Sequence, residues 1–190
     1  SVLQKTNDLK NKFIKQEAEL LEISDHDFLS LVMMTPSVGI MKSNGNLSLL
    51  EEINLNKKAR KLSKGGYFMK SDPVVRSMKF LTKNFKQWED PFLNHIREIM
   101  DYVFSINEDV NRLCYEYNIE RSPFPEAVMN APYILVRFLS SLFLKDDEDI
   151  FDRRKLLKAE YEKIVEIGRK LDMEKIPLYN NFVSTIEVKK

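Results

Sequence analysis

Residues 126–144 read EAVMNAPYILVRFLSSLFL, the most apolar run in the chain. A membrane-spanning helix wants about 20 nearly unbroken apolar residues. Glu126, Asn130, Pro132 and Arg137 interrupt this run. The reading is therefore a buried helix, with Pro132–Leu144 near the centre of an all-α bundle, and no membrane partner is expected.

Outward from that run, apolar residues recur at helical spacing and strand alternation is scarce. Leu9, Phe13, Leu20 and Ile23 mark one side of a first helix over 7–23. Ser24 followed by Asp27 gives a start signal for a second helix over 25–42, with a kink or break expected at Thr35-Pro36. Ser48 and Glu51 form a capping box ahead of a helix over 49–62, which stops at Gly65-Gly66. Asp72-Pro73 and Asp90-Pro91 each read as a cap plus first-turn proline, opening helices over 73–87 and 91–104. Further helices are expected over 108–118, 152–171 and 178–186. The 190 residues are 43% apolar, enough for one core, and no linker divides them. A single domain spanning 1–190, with seven to nine helices, is the expectation.

Charge is segregated. Ten of the 30 Lys and Arg residues fall in positions 57–86, beside one acid, Asp72. They are Lys57, Lys58, Arg60, Lys61, Lys64, Lys70, Arg76, Lys79, Lys83 and Lys86. The other residues carry a net negative charge, although the whole chain is only +1. Positions 76, 79, 83 and 86 fall on one helical face. Such a row can meet carboxylates or successive phosphates, and Tyr67 or Phe68 could stack a base. The plainer reading is a solvated face balanced by acids elsewhere in the fold. Near-neutral total charge argues against a dedicated nucleic-acid binder, so an acidic protein surface or a phosphate-bearing partner is expected.

Two stretches carry a resemblance. One is Val38 to Glu52, where an apolar helix ends in Ser43-Asn44-Gly45 before the acid-bearing Leu49-Leu50-Glu51-Glu52. The other is Asp146 to Met173, an acidic loop and then a helix ending Ile167-Gly168-Arg169-Lys170-Leu171. Together they resemble the tellurite-resistance TerB-like family. That resemblance implies an all-α bundle, a cytoplasmic location and a link to stress or metal-ion responses. The family's acids are associated with divalent metals. Here Asn44 stands where the family usually has Asp, which keeps the turn chemistry and removes an anionic ligand.

Other candidates are thinner. Asp146, Asp147, Asp149 and Asp152, with Glu148, could chelate a hard cation, and they suit equally a surface loop before a helix. His26 and His95 lack a second ligand at helical spacing, so no zinc pair is suggested. Cys114, the only cysteine, has no activating neighbour and cannot form an internal disulfide. No signal peptide is visible, and a cytoplasmic address is the default. Nucleophile-elbow, Walker and dinucleotide patterns are absent. No motif forces a reaction. The expectation is a non-catalytic binding or regulatory module without a cofactor; a metal- or haem-binding helical protein is the alternative.

Overall fold

Side-chain caps start helices where the local chemistry asks for them. In the computed structural model, which describes residues 1–62, 72–106, 123–142 and 154–190, helix α1 spans Val2–Glu17. The Ser24 hydroxyl accepts the Asp27 amide at 3.1 Å and opens α2, Asp25–Met33. A break at Met34 leads into α3, Thr35–Lys42. Pro36 sits in the first turn of α3, where its missing N–H has no intrahelical partner to lose. Helix α4, Leu49–Leu62, begins with a reciprocal box: the Glu51 amide donates to Ser48 Oγ at 3.3 Å, and the Ser48 amide donates to Glu51 Oε2 at 2.7 Å. The Asp72 carboxylate accepts the amides of Val74 and Val75 and opens α5, Pro73–Lys83.

The second Asp-Pro pair behaves differently. Helix α6 spans Phe85–Ser105 and runs through Pro91. The chain breaks at Asn84, not at Asp90. Asp90 caps nothing and instead accepts from Lys170 Nζ at 2.6 Å. Proline forfeits one backbone hydrogen bond, and tertiary contact offsets that loss. The apolar residues on both sides of Pro91 are buried, among them Phe85, Trp88, Phe92 and Ile96.

The run at 126–144 forms two helices rather than one. Helix α7 spans Pro123–Met129 and α8 spans Ala131–Ser141, with Asn130 between them. Pro132 takes a first-turn position, which forces a helix start there. Helix α8 is amphipathic: Leu135, Val136 and Leu139 are buried, while Tyr133 is 58% exposed. Among the described residues the segment buried throughout is 27–41, in α2 and α3. These two helices touch α1, α4, α5, α6, α7 and α8, which makes them the centre of the bundle.

Residues 154–156 also depart from expectation. They form a short strand, β1 (Arg154–Leu156), paired in parallel with β2 (Ile186–Val188). Helix α9 therefore starts late, at Lys158, and runs to Lys170. A 3₁₀ turn, Met173–Lys175, and α10, Pro177–Ser184, complete the fold. Leu20, expected on an inner face, is 93% exposed, because α1 has already ended at Glu17. The expected helix over 108–118 and Cys114 lie outside the described residues.

The architecture is an all-α bundle, with one two-stranded pairing among the described residues. An aromatic knot of Phe13, Phe28, Trp88 and Phe92 joins α1, α2 and α6, with ring centroids 4.9 to 5.9 Å apart. Such pairs add about 0.5–1.5 kcal/mol each beyond the burial of their area. Among the described residues no helix is long and apolar enough to cross a membrane.

Candidate anion-binding face

Helix α5 has a strict inside and outside. Val74, Ser77, Met78 and Leu81 are buried, and Arg76, Lys79 and Lys83 are exposed. The exposed set recurs every three to four residues, so it forms one stripe about 10 Å long. Helix α4 packs alongside α5, with Leu55 and Ala59 buried and Lys57 and Arg60 exposed. The cations of 57–86 thus decorate two neighbouring helices and the start of a third. Lys57, Arg76, Lys79, Lys83 and Lys86 make no ion pair within 4.0 Å of a described carboxylate. Lys58 and Arg60 are already engaged by other groups. The side chain of Lys61, and all of Lys64 and Lys70 with Tyr67 and Phe68, lie outside the described residues.

At the α5–α6 junction the stripe runs into a groove of about 500 Å³. Its walls carry Lys42, Lys83 and Lys86, with the carboxamides of Asn46, Asn84 and Gln87. Among the described residues no carboxylate lines it. Lys42 is held in place: its Nζ donates to the Thr82 carbonyl at 3.0 Å and sits 5.7 Å from the Phe85 ring centroid. That carbonyl belongs to the last turn of α5, where a cation is favoured by the helix dipole.

The opposite wall is the α3–α4 turn. Gly45 adopts φ +119°, a conformation that side chains rarely adopt. The Asn44 carboxamide donates to Glu160 Oε1 at 2.8 Å, and Glu160 Oε2 accepts the Leu157 amide at 2.9 Å. One carboxylate thereby starts α9 and tethers the turn. Asn44 works here as a donor, a role an aspartate could not fill.

Glu17 builds the rear of the junction. Its Oε2 accepts from the Asn84 carboxamide at 2.7 Å, and its Oε1 accepts from the Trp88 indole at 2.8 Å. Asn84 therefore points its amide toward α1 and does not cap α6. Lys42, Asn46, Asn84 and Gln87 were not legible as site residues. Only tertiary packing brings Lys42 beside Lys83, and its lone position before Asn44-Gly45 gave no signal of that.

The histidines have structural duties. His95 is buried, and its Nε2 lies 2.6 Å from Thr6 Oγ1. The Thr6 hydroxyl donates to the Val2 carbonyl at 3.0 Å, which leaves its oxygen to accept from His95 Nε2–H. Burial pushes the His95 pKa below its ordinary 6.5, only partly opposed by Glu98. His26 Nδ1 meets Asp27 Oδ1 at 3.2 Å. Among the described residues no three His, Cys, Asp or Glu side chains come together as a metal site. The acidic candidates Asp146, Asp147, Asp149 and Asp152 lie outside those residues.

No protein-family model matches the chain, and searches of curated proteins and of solved structures return no significant match.

Proposed function

We propose that this protein is a non-catalytic binding module that holds an anionic partner against the α4–α5 face and the groove at the α5–α6 junction. One observation carries the reading: an exposed row of cations, unpaired with any described carboxylate, leads into a groove walled by three lysines and three carboxamides. Cations that meet no described carboxylate can meet the carboxylates or phosphates of a partner. Complementary charge mainly sets encounter rate and selectivity, and short-range contacts then hold the complex. Each exposed pair contributes only about 0–1 kcal/mol, so several must act together.

The proposal extends to a cytoplasmic setting and to a TerB-like role in stress responses. This extension is supported by the stretches 38–52 and 146–173 alone.

A fluorescently labelled polyglutamate peptide tests the central reading. The charge-reversal variant R76E/K79E/K83E is expected to lose binding of that peptide while its melting temperature stays close to wild type. Wild-type binding is expected to weaken steeply as salt rises, because screening shortens the reach of exposed charges to about 10 Å at 0.1 M. Retained binding by the reversed variant overturns the proposal.

A further inference from the structure

Helix α4 presents an apolar outer edge that the charge argument does not use. Leu49 and Leu50 are 72% and 73% exposed, and Ile53 is 41% exposed. Residues 49 and 53 stand one turn apart on the same side, opposite buried Leu55 and Ala59. Lys57 continues that outer edge one turn further and is exposed. The edge begins next to the groove: Asn46 lines the groove, and Leu49 follows three residues later, at most about 10 Å of chain away.

We infer that this edge and the groove together dock an acidic amphipathic helix of a partner protein. Its apolar side chains would cover Leu49, Leu50 and Ile53, while its carboxylates would meet Lys83 and Lys86 in the groove. The inference rests on the anion-binding reading above and adds the chemistry of the partner. Adjacency selects a ligand that is apolar and anionic at once. Single-stranded nucleic acid is held by stacking on aromatic rings, and the exposed side chains here are aliphatic. An anionic lipid surface is disfavoured because Lys83 and Lys86 line a concave groove, which a protruding helix can fill and a flat bilayer spans. Helix-in-groove recognition, with anchors at i, i+3, i+4 and i+7, suits this geometry.

Two labelled probes of equal net charge separate the terms: a synthetic helix of about 18 residues with Leu on one face and Glu elsewhere, and polyglutamate. Fluorescence anisotropy with the full chain is expected to show about tenfold tighter binding of the Leu/Glu helix, the scale of about two buried methylene groups in all. The variant L49S/L50S/I53S, altered only at exposed positions, is expected to lose that preference and still bind polyglutamate. The variant K83Q/K86Q is expected to weaken both probes. Equal wild-type affinity for the two probes, or an unchanged preference in the serine variant, overturns the inference. If polyglutamate binding then still depends on Lys83 and Lys86, the broader anion-binding reading stands. If polyglutamate binding is indifferent to those lysines, the broader reading falls too. Tighter binding of a single-stranded oligonucleotide or of anionic vesicles, lost in the serine variant, assigns the edge to that occupant and overturns the protein one. Self-association in sedimentation, lost in the same variant, overturns it in favour of a second copy.

Discussion

Gly168 is where a single hydrogen atom decides packing. A Cβ at this position would stand 1.8 Å from Tyr179 Oη and 2.5 Å from Cζ. The tyrosine cannot simply swing away, because its hydroxyl donates to the Ile164 carbonyl at 3.1 Å, and burial pushes its pKa up to about 12. Gly168→Ala is expected to destabilise the fold by about 1–3 kcal/mol, the usual cost of overpacking. Urea denaturation measures this. Tyr179→Phe in the same background is expected to recover only part of the loss, since the ring carbon still clashes. His95 gives a pH prediction at the same scale. Its folded-state pKa is depressed, so the fold favours the neutral ring. Below about pH 6.5 the unfolded chain takes up the proton first, and stability falls until the folded-state pKa is passed. Lys5 and Glu98, paired at 2.8 Å, are the charged groups beside it, from α1 and from α6 itself. His95→Gln is expected to flatten the dependence of the urea midpoint on pH between 5 and about 7. Neither effect was legible from local sequence, because Tyr179 and Thr6 reach these residues only through folding.

Helix boundaries separate local from tertiary control. Asp72-Pro73 and Asp90-Pro91 look alike in sequence, yet only Asp72 caps. Asp72→Ala is expected to cost about 1 kcal/mol, typical of a lost N-cap, and Asp90→Ala well under half of that, since its pair with Lys170 is largely exposed. Thermal denaturation of the two variants checks the contrast. Caps whose partners lie within three residues, at Ser24, Ser48 and Asp72, were legible. The strand at 154–156 was not, because its partner begins at Ile186 and only that distant pairing makes it extended. The apolar run at 126–144 announced burial correctly on one face but hid its break, which depends on where Pro132 fits rather than on hydropathy.

At the scale of the molecule, charge was legible and centrality was not. Of the Lys and Arg crowded into positions 57–86, the described ones lie on α4, α5 and the start of α6, and Lys83 on α5 and Lys86 on α6 line one groove. The centre of the bundle lies in α2 and α3, whose short apolar runs looked unremarkable beside 126–144. The negative remainder has its own function in the architecture. Lys163 pairs with Glu89 at 2.7 Å, and Arg97 pairs with Asp172 at 2.7 Å, so acids and bases bind α6 to α9 and the turn after it. Hydrogen bonding from Lys170 holds the Asp90 carboxyl below its ordinary 3.8, and Lys175 does the same for Asp172. Depressed carboxyl pKa values add stability above about pH 4 that is lost as acid protonates them. A second fall in melting temperature is therefore expected below that pH, small because these groups are exposed, and separate from the His95 fall.

The Glu17 carboxylate grips Asn84 with one oxygen and the indole of Trp88 with the other. Trp88 is the sole tryptophan, so all tryptophan emission originates two hydrogen bonds away from a groove residue, Asn84. Any occupant that turns Asn84 loosens that carboxylate and repolarises the excited indole. Tryptophan emission is therefore expected to report groove occupancy without a dye, with Glu17→Ala as the change that disconnects it.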